Sequence, residues 1–392
     1  MASNKLYAPI VQELTNLIAQ NGWQEKFELV LQNIKRYHIE GLEGLDTLED
    51  YFAWLDKQLR WIPTEDNFGT KVYEYIGRFY FILDQEPVLS LQNKIKPADQ
   101  IEALTPLSTW MGKYVNSLGE FMDTPESLTP ESEKSFYDSP SYNMNEYLRP
   151  RGGWRSYNDM FARFCKPGTR PIAAINDPTV IVSPADSTFG GFWEIREDSE
   201  VTVKGLHWKI MELLEGSPYK DYFKGGYFTH SFLNTSDYHR EHAPVGGTIV
   251  EARNIQGTTY LEVEAVPVCG CADGRHSVVA KREFQIGDGT GYQFMQTRGL
   301  IVIDSPIGLV AVLPIGMGPV SSVVITAEVG RTLRKGEEIS YFQFGGSDIV
   351  MVFEAKSNVS FTAQPGCHYR YGTKLADAYP VISKNTLFHR MM

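Results

Sequence analysis

The sequence predicts an α+β fold, with an N-terminal helical region followed by a β-rich, sandwich- or barrel-like domain. Three observations predict it. Apolar residues recur at helical spacing as far as about residue 122. Short alternating runs with close turn signals dominate from about residue 245. Between these two regimes, residues 123–150 are rich in Ser, Pro and acid, which reads as a linker or a segment draped on the surface. The chain of 392 residues is therefore divided into a helical region with linker, 1–150, and a second domain, 151–392.

Ile10, Leu14, Leu17 and Ile18 share one helix face, as do Phe27, Val30, Leu31 and Ile34. Thr47 followed by Asp50 has the form of a capping box, in which each side chain satisfies the other residue's backbone N–H. Tyr73, Ile76, Phe79, Tyr80 and Leu83 predict a further helix, and Leu107 to Met122 another. Their aromatic stripe is read as core. Downstream, Thr248–Ala252 and Tyr260–Ala265 alternate, with Gln256-Gly257 turning between them. Gly299–Ile303 and Leu309–Leu313 flank the turn Ser305-Pro306-Ile307-Gly308. Strands are also predicted over Val320–Val329, Ile339–Phe344 and Ile349–Phe353. Gly287 to Gly291 reads as a hairpin turn, not a phosphate loop.

A net charge of −11 and a pI of about 5.3 argue against nucleic acid as a partner and against electrostatic docking on an anionic membrane. Four cysteines are too few for a disulfide framework, so a reducing, cytoplasmic location is expected. The first residues lack a basic stretch followed by a long apolar core. Gly299–Met317 is apolar but broken by Asp304, Pro306 and Pro314, so no membrane span is predicted and membrane contact would be peripheral at most. Cys269-Gly270-Cys271 with His276 nearby raises a zinc reading. C-x-C is not the usual spacing and a second pair is missing, so an ordinary thiol-bearing loop is favoured and no metal is expected.

The chemistry concentrates in two segments. Phe344-Gly345-Gly346-Ser347-Asp348 places a serine behind two glycines, between predicted strands. Asp237-Tyr238-His239-Arg240-Glu241-His242-Ala243-Pro244 supplies two histidines. Glycine at 346 leaves the preceding carbonyl open and tolerates distorted backbone angles. A serine hydroxyl is a weak nucleophile until a neighbouring base takes its proton. Together the segments suggest a serine that a histidine activates against its own backbone. Taken singly, Ser347 could be a turn residue, either histidine a core residue, and Asp186 a turn or cap.

Further stretches match one family in order: Tyr157–Phe164 with Arg170-Pro171-Ile172, Ser183-Pro184-Ala185-Asp186, Lys204-Gly205 with Trp208 and Leu213-Leu214, Gly316-Met317 with Val320-Ser321-Ser322, and Lys335-Gly336-Glu337-Glu338. Over roughly 154–380 the chain resembles the phosphatidylserine decarboxylase family of pyruvoyl-dependent enzymes. The resemblance implies self-cleavage between Gly346 and Ser347, with Ser347 becoming a covalent pyruvoyl group and no separate organic cofactor. It implies His242 as the base, Asp186 as the residue that orients its imidazole, and His239 as the proton donor after carbon dioxide leaves. The group would accept the substrate's amine and take up the electrons left on Cα. Two positions depart from the family pattern. Ser187 replaces a glycine, and Asp348 replaces a Ser or Thr, where a carboxylate would disfavour negative charge on the ester intermediate. The helical extension and the lack of an anchor look more like the soluble branch, which includes fungal L-tryptophan decarboxylases. The expected activity is that of a carboxy-lyase acting on a free, aromatic L-amino acid such as tryptophan. Phosphatidylserine is the alternative substrate, and an unprocessed binding scaffold the alternative from another class. Homo-oligomers are common in the family.

Overall fold

A computed structural model describes residues 6–97, 102–203, 206–267, 276–280, 291–316, 323–344 and 347–381. Lys204-Gly205, Cys269-Gly270-Cys271, most of the 287–291 turn, 317–322 and Gly345-Gly346 lie outside these residues.

Helices occupy Pro9–Asn21, Gln24–Ile34, Leu48–Gln58, Lys71–Leu83 and Pro106–Met122, as the periodicity predicts. Their ends are chemically marked. The Thr47 side chain accepts from the Asp50 N–H and Asp50 returns the bond, completing the capping box. Thr105 accepts from the Ser108 N–H just before Pro106, whose ring pre-sets the first turn. Gly22 ends the first helix at φ +64°, a left-handed conformation that glycine adopts without penalty.

The segment 123–150 is more than a linker. Thr129 caps a helix over Pro130–Asp138, and Phe136, Tyr142, Met144 and Tyr147 are buried. A Thr-Pro start followed by acidic residues is itself a helix signal, and it outweighs the polar composition.

The β-rich part is built on an eight-stranded antiparallel sheet. In spatial order its strands are Thr332–Leu333, Gly247–Ile255, Arg298–Ser305, Gly308–Gly316, Ser347–Phe353, Tyr227–Leu233, Ser187–Glu194 and His368–Tyr369. Arg298–Ser305 and Gly308–Gly316 form the predicted hairpin. Gly247–Ile255 does not pair with the strand after Gln256-Gly257. It pairs with Arg298–Ser305, while Val263–Pro267 pairs with His276–Ala280. Trp208 lies on a strand, Leu206–Lys209, and only one helical turn, Ile210–Leu213, follows it.

The central strand Ser347–Phe353 is buried throughout. Its alternate residues enter different cores. Ile349, Met351 and Phe353 join a cluster continuous with the helices, whereas Val350 and Val352 join a second cluster with Trp208, Phe228 and Leu300. Each such buried side chain contributes about 1.5–3 kcal/mol. A small sheet, Val323–Ile325, Glu338–Phe342 and Arg240–His242, lies beside the large one in sequence and carries the histidine segment.

Candidate active site

Ser347 opens the central strand, opposite Gly316 on one side and Leu233 on the other. It is fully buried, and its Oγ makes no hydrogen bond to the described residues. The serine is therefore fixed by the sheet from its C-terminal side while its hydroxyl is uncommitted.

Asp348 points to the opposite face, because side chains alternate along a strand. Tyr292 donates its O–H to Asp348 Oδ2 at 2.8 Å and Gln293 Nε2 donates at 3.3 Å. His230 Nε2 lies 3.4 Å from the same oxygen. The carboxylate expected to oppose ester formation is thus turned away from the serine hydroxyl and held by polar neighbours.

The histidines are joined to the strand that runs toward the serine. Arg240–His242 pairs with Glu338–Phe342, with His242 opposite Glu338 and Arg240 opposite Tyr341. The Phe342 N–H donates to the His239 carbonyl at 2.9 Å, five residues before Ser347. His239 Nδ1 donates to the Asp237 carbonyl at 2.9 Å, and its ring stacks on Phe161 at 4.1 Å. His242 Nδ1 donates to the Gly336 carbonyl at 2.9 Å, which leaves Nε2 as acceptor for the Tyr238 O–H at 3.1 Å. Burial lowers the His242 pKa to about 4 against the pull of the Gly336 carbonyl, so the ring is neutral at pH 7. Neither histidine hydrogen-bonds Ser347.

Asp186 does not reach the His242 ring nitrogens, both of which are already engaged. Arg170 donates from Nε to Oδ1 and Oδ2 at 3.1 and 3.0 Å and from NH2 to Oδ2 at 2.6 Å. The Tyr371 N–H donates to Oδ1 at 2.8 Å. The link to His242 is indirect: the Tyr371 ring lies flat on the imidazole, 3.9 Å away and tilted by 6°. The His242 N–H also donates to the Pro184 carbonyl at 2.7 Å. Sequence reasoning missed Tyr371 and Tyr238 as partners of the imidazole. Tyr238 sits in the histidine segment and Arg170 in Arg-Pro-Ile, so both were visible. No local pattern marks Tyr371.

Glu241, between the two histidines, is fully buried and accepts from the Ser340 hydroxyl at 2.8 Å. Desolvation raises its pKa from 4.5 to about 8. The folded state therefore binds this proton more tightly than the unfolded state. That stability is complete below about pH 4.5 and is lost as pH rises toward 8. His242 acts oppositely: its contribution is complete above about pH 6.5 and lost as pH falls toward 4. Glu241→Gln is expected to flatten the fall in stability between pH 6.5 and 8. Urea midpoints measured across that window for both proteins check it.

A cavity of about 570 Å3 lies against the Glu338–Phe342 strand. Trp154, Phe164, Tyr341, Gln343, Asn158 and Arg240 are among its lining residues. The Arg240 guanidinium lies 3.6 Å from the Phe164 ring centre and 4.7 Å from that of Tyr341, and pairs with Glu338 at 2.9 Å.

Among the described residues, no group of three or more His, Cys, Asp or Glu is placed to hold a metal, and no helix is long and apolar enough to cross a membrane. His276 Nδ1 lies 3.0 Å from the Tyr37 carbonyl oxygen.

The model of the family described as phosphatidylserine decarboxylase matches residues 157–377, more than half the chain. The chain belongs to the phosphatidylserine decarboxylase family. Membership makes it a carboxy-lyase by class. Phosphatidylserine decarboxylase proenzyme 3 of Schizosaccharomyces pombe is 33% identical over 59% of this chain but only 22% of its own length. The phosphatidylserine decarboxylase proenzyme of Fusobacterium nucleatum is 32% identical over 63% of this chain and 73% of its own. Decarboxylase iboD of Amanita muscaria is 31% identical over 68% of this chain and 80% of its own. This member of the phosphatidylserine decarboxylase family thus spans about a fifth of the first relative and most of the other two.

Proposed function

We propose that this chain is a proenzyme that cleaves itself between Gly346 and Ser347, and that the product is a pyruvoyl-dependent decarboxylase of a free aromatic L-amino acid. The observation that supports processing most directly is the family's Gly-Gly-Ser motif ending on a buried, uncommitted Ser347 hydroxyl. Attack of Oγ on the Gly346 carbonyl carbon transfers the acyl group from nitrogen to oxygen. Elimination then breaks the Cβ–Oγ bond and leaves Gly346 as a carboxylate. Loss of the Cα proton in that elimination leaves a Cα=Cβ enamine, which shifts a proton from nitrogen to Cβ to become an imine; water adds to its C=N bond and ammonia leaves.

His242, neutral at pH 7, is the base, and Tyr238 has to release Nε2 before that nitrogen can accept the serine proton. Asp186 acts through Tyr371, holding its backbone while the phenol ring steadies the imidazole. The pyruvoyl carbonyl supplies the electron sink for decarboxylation. His239 supplies the proton that replaces the carboxylate on the substrate's Cα.

One observation supports a free amino acid: the cavity beside the Glu338–Phe342 strand sets Trp154, Phe164 and Tyr341 among charged residues that include Asp123, Asp159, Arg155 and Arg240, a lining suited to an aromatic side chain that carries charged groups. The names of several relatives favour phosphatidylserine as the alternative. Carbon dioxide release by the processed protein, assayed with tryptophan, tyrosine and phenylalanine against phosphatidylserine vesicles, separates them. Turnover confined to the vesicles would overturn the amino-acid reading.

A further inference from the structure

We infer that the helical region seats the backbone just before the cleavage site, with Asn158 and Asp123 as positioning residues for self-processing. The inference rests on the reading of Ser347 as the processed serine.

Ser347 is held from its C-terminal side by strands on both flanks. Gly345 and Gly346 precede it and have no side chains to anchor. The Gly346 carbonyl carbon is bonded to the Ser347 nitrogen, so what the upstream chain can still set is the direction from which that peptide arrives, and Phe344 is the last described residue on that side. The Phe344 N–H donates to Asn158 Oδ1 at 3.0 Å. Asn158 is buried, and its Nδ2 donates to Asp123 Oδ1 at 2.9 Å, which fixes the amide with its oxygen toward Phe344. Gln343 Nε2 donates to the same Asp123 oxygen at 3.2 Å. The Phe344 ring packs edge-on to Tyr157 at 5.4 Å and lies 6.2 Å from Trp61, which stacks on Tyr75 at 3.6 Å. Trp61, Tyr75 and Asp123 all belong to the helical region, upstream of the family match at 157–377.

Nucleophile and carbonyl must meet at about 3–3.5 Å, and a misplacement of about 1 Å costs on the order of 10²-fold in rate. The Asn158–Asp123 pair holds the Phe344 backbone at the upstream end of that approach.

The test is the rate at which the small fragment appears after cell-free synthesis of the full chain. Asn158→Leu and Asp123→Leu are expected to slow cleavage by roughly tenfold or more. Asp123→Asn keeps an acceptor oxygen and is expected to cleave near the wild-type rate. Melting of each variant in a Ser347→Ala background, where no chain is cut, reports folding separately. Asn158→Leu cleaving at the wild-type rate would overturn the inference. If Asn158→Leu fails to fold, the solvent-exposed Asp123 decides: equal rates for its Leu and Asn variants overturn the inference, and a slow Leu with a rescued Asn supports it. A wild-type chain that never cleaves removes the processing reading itself, and this inference with it.

Discussion

Ser347→Ala is expected to yield a single chain of 44.3 kDa with no decarboxylase activity, whereas the wild-type protein yields two fragments divided at Gly346–Ser347. Alanine has no nucleophile, and nothing else on the buried strand can take its place: Ile349, Met351 and Phe353, the next residues on that face, are apolar. The substitution should cost little stability, because the hydroxyl makes no hydrogen bond to the described residues. Intact mass under denaturing conditions reads the result, and the small wild-type fragment should resist Edman degradation because its amino terminus is a ketone. An unbroken wild-type chain would favour the scaffold reading.

Arg170→Ala is expected to have the largest effect on stability, a loss of about 3–5 kcal/mol, because it leaves the Asp186 carboxylate buried without its cation. Both side chains are almost fully buried, and the guanidinium also pairs with Glu146 at 2.8 Å. Chemical denaturation of the variant in the Ser347→Ala background measures the loss without interference from cleavage. Replacing both partners, Arg170→Met with Asp186→Leu, should recover most of that stability. It should not recover processing if Asp186 steadies His242 through Tyr371. Recovery of both would assign the ion pair to folding alone. Arg170→Lys is not expected to rescue, since an ammonium cannot reproduce the forked contact with both carboxylate oxygens.

The helices before residue 122, the Thr47 cap, the 298–316 hairpin and the strand behind Gly-Gly-Ser were legible because each rests on side chains within a few residues of one another. Spacing decides which face is apolar, and a cap or turn residue decides where an element starts or stops. Ser347 on one side and His239 and His242 on the other were each visible as candidates in their own short motifs, and what joined the two motifs, about a hundred residues apart, was the family resemblance. Local signals misled in two places. The polar composition of 123–150 concealed a capped helix and buried aromatics, and Gln256-Gly257 suggested a hairpin whose strands pair elsewhere.

What the sequence alone determined is the α+β order, most element positions and the residue types that carry the chemistry. Tertiary structure alone decided their partners. It gave Asp186 to Arg170 and Tyr371 instead of the imidazole, turned Asp348 away from Ser347, and brought Asp123 to Gln343 from 220 residues away. Partner choice depends on which strands and helices pack together, a free energy spread over the whole core, and no short stretch of sequence encodes it.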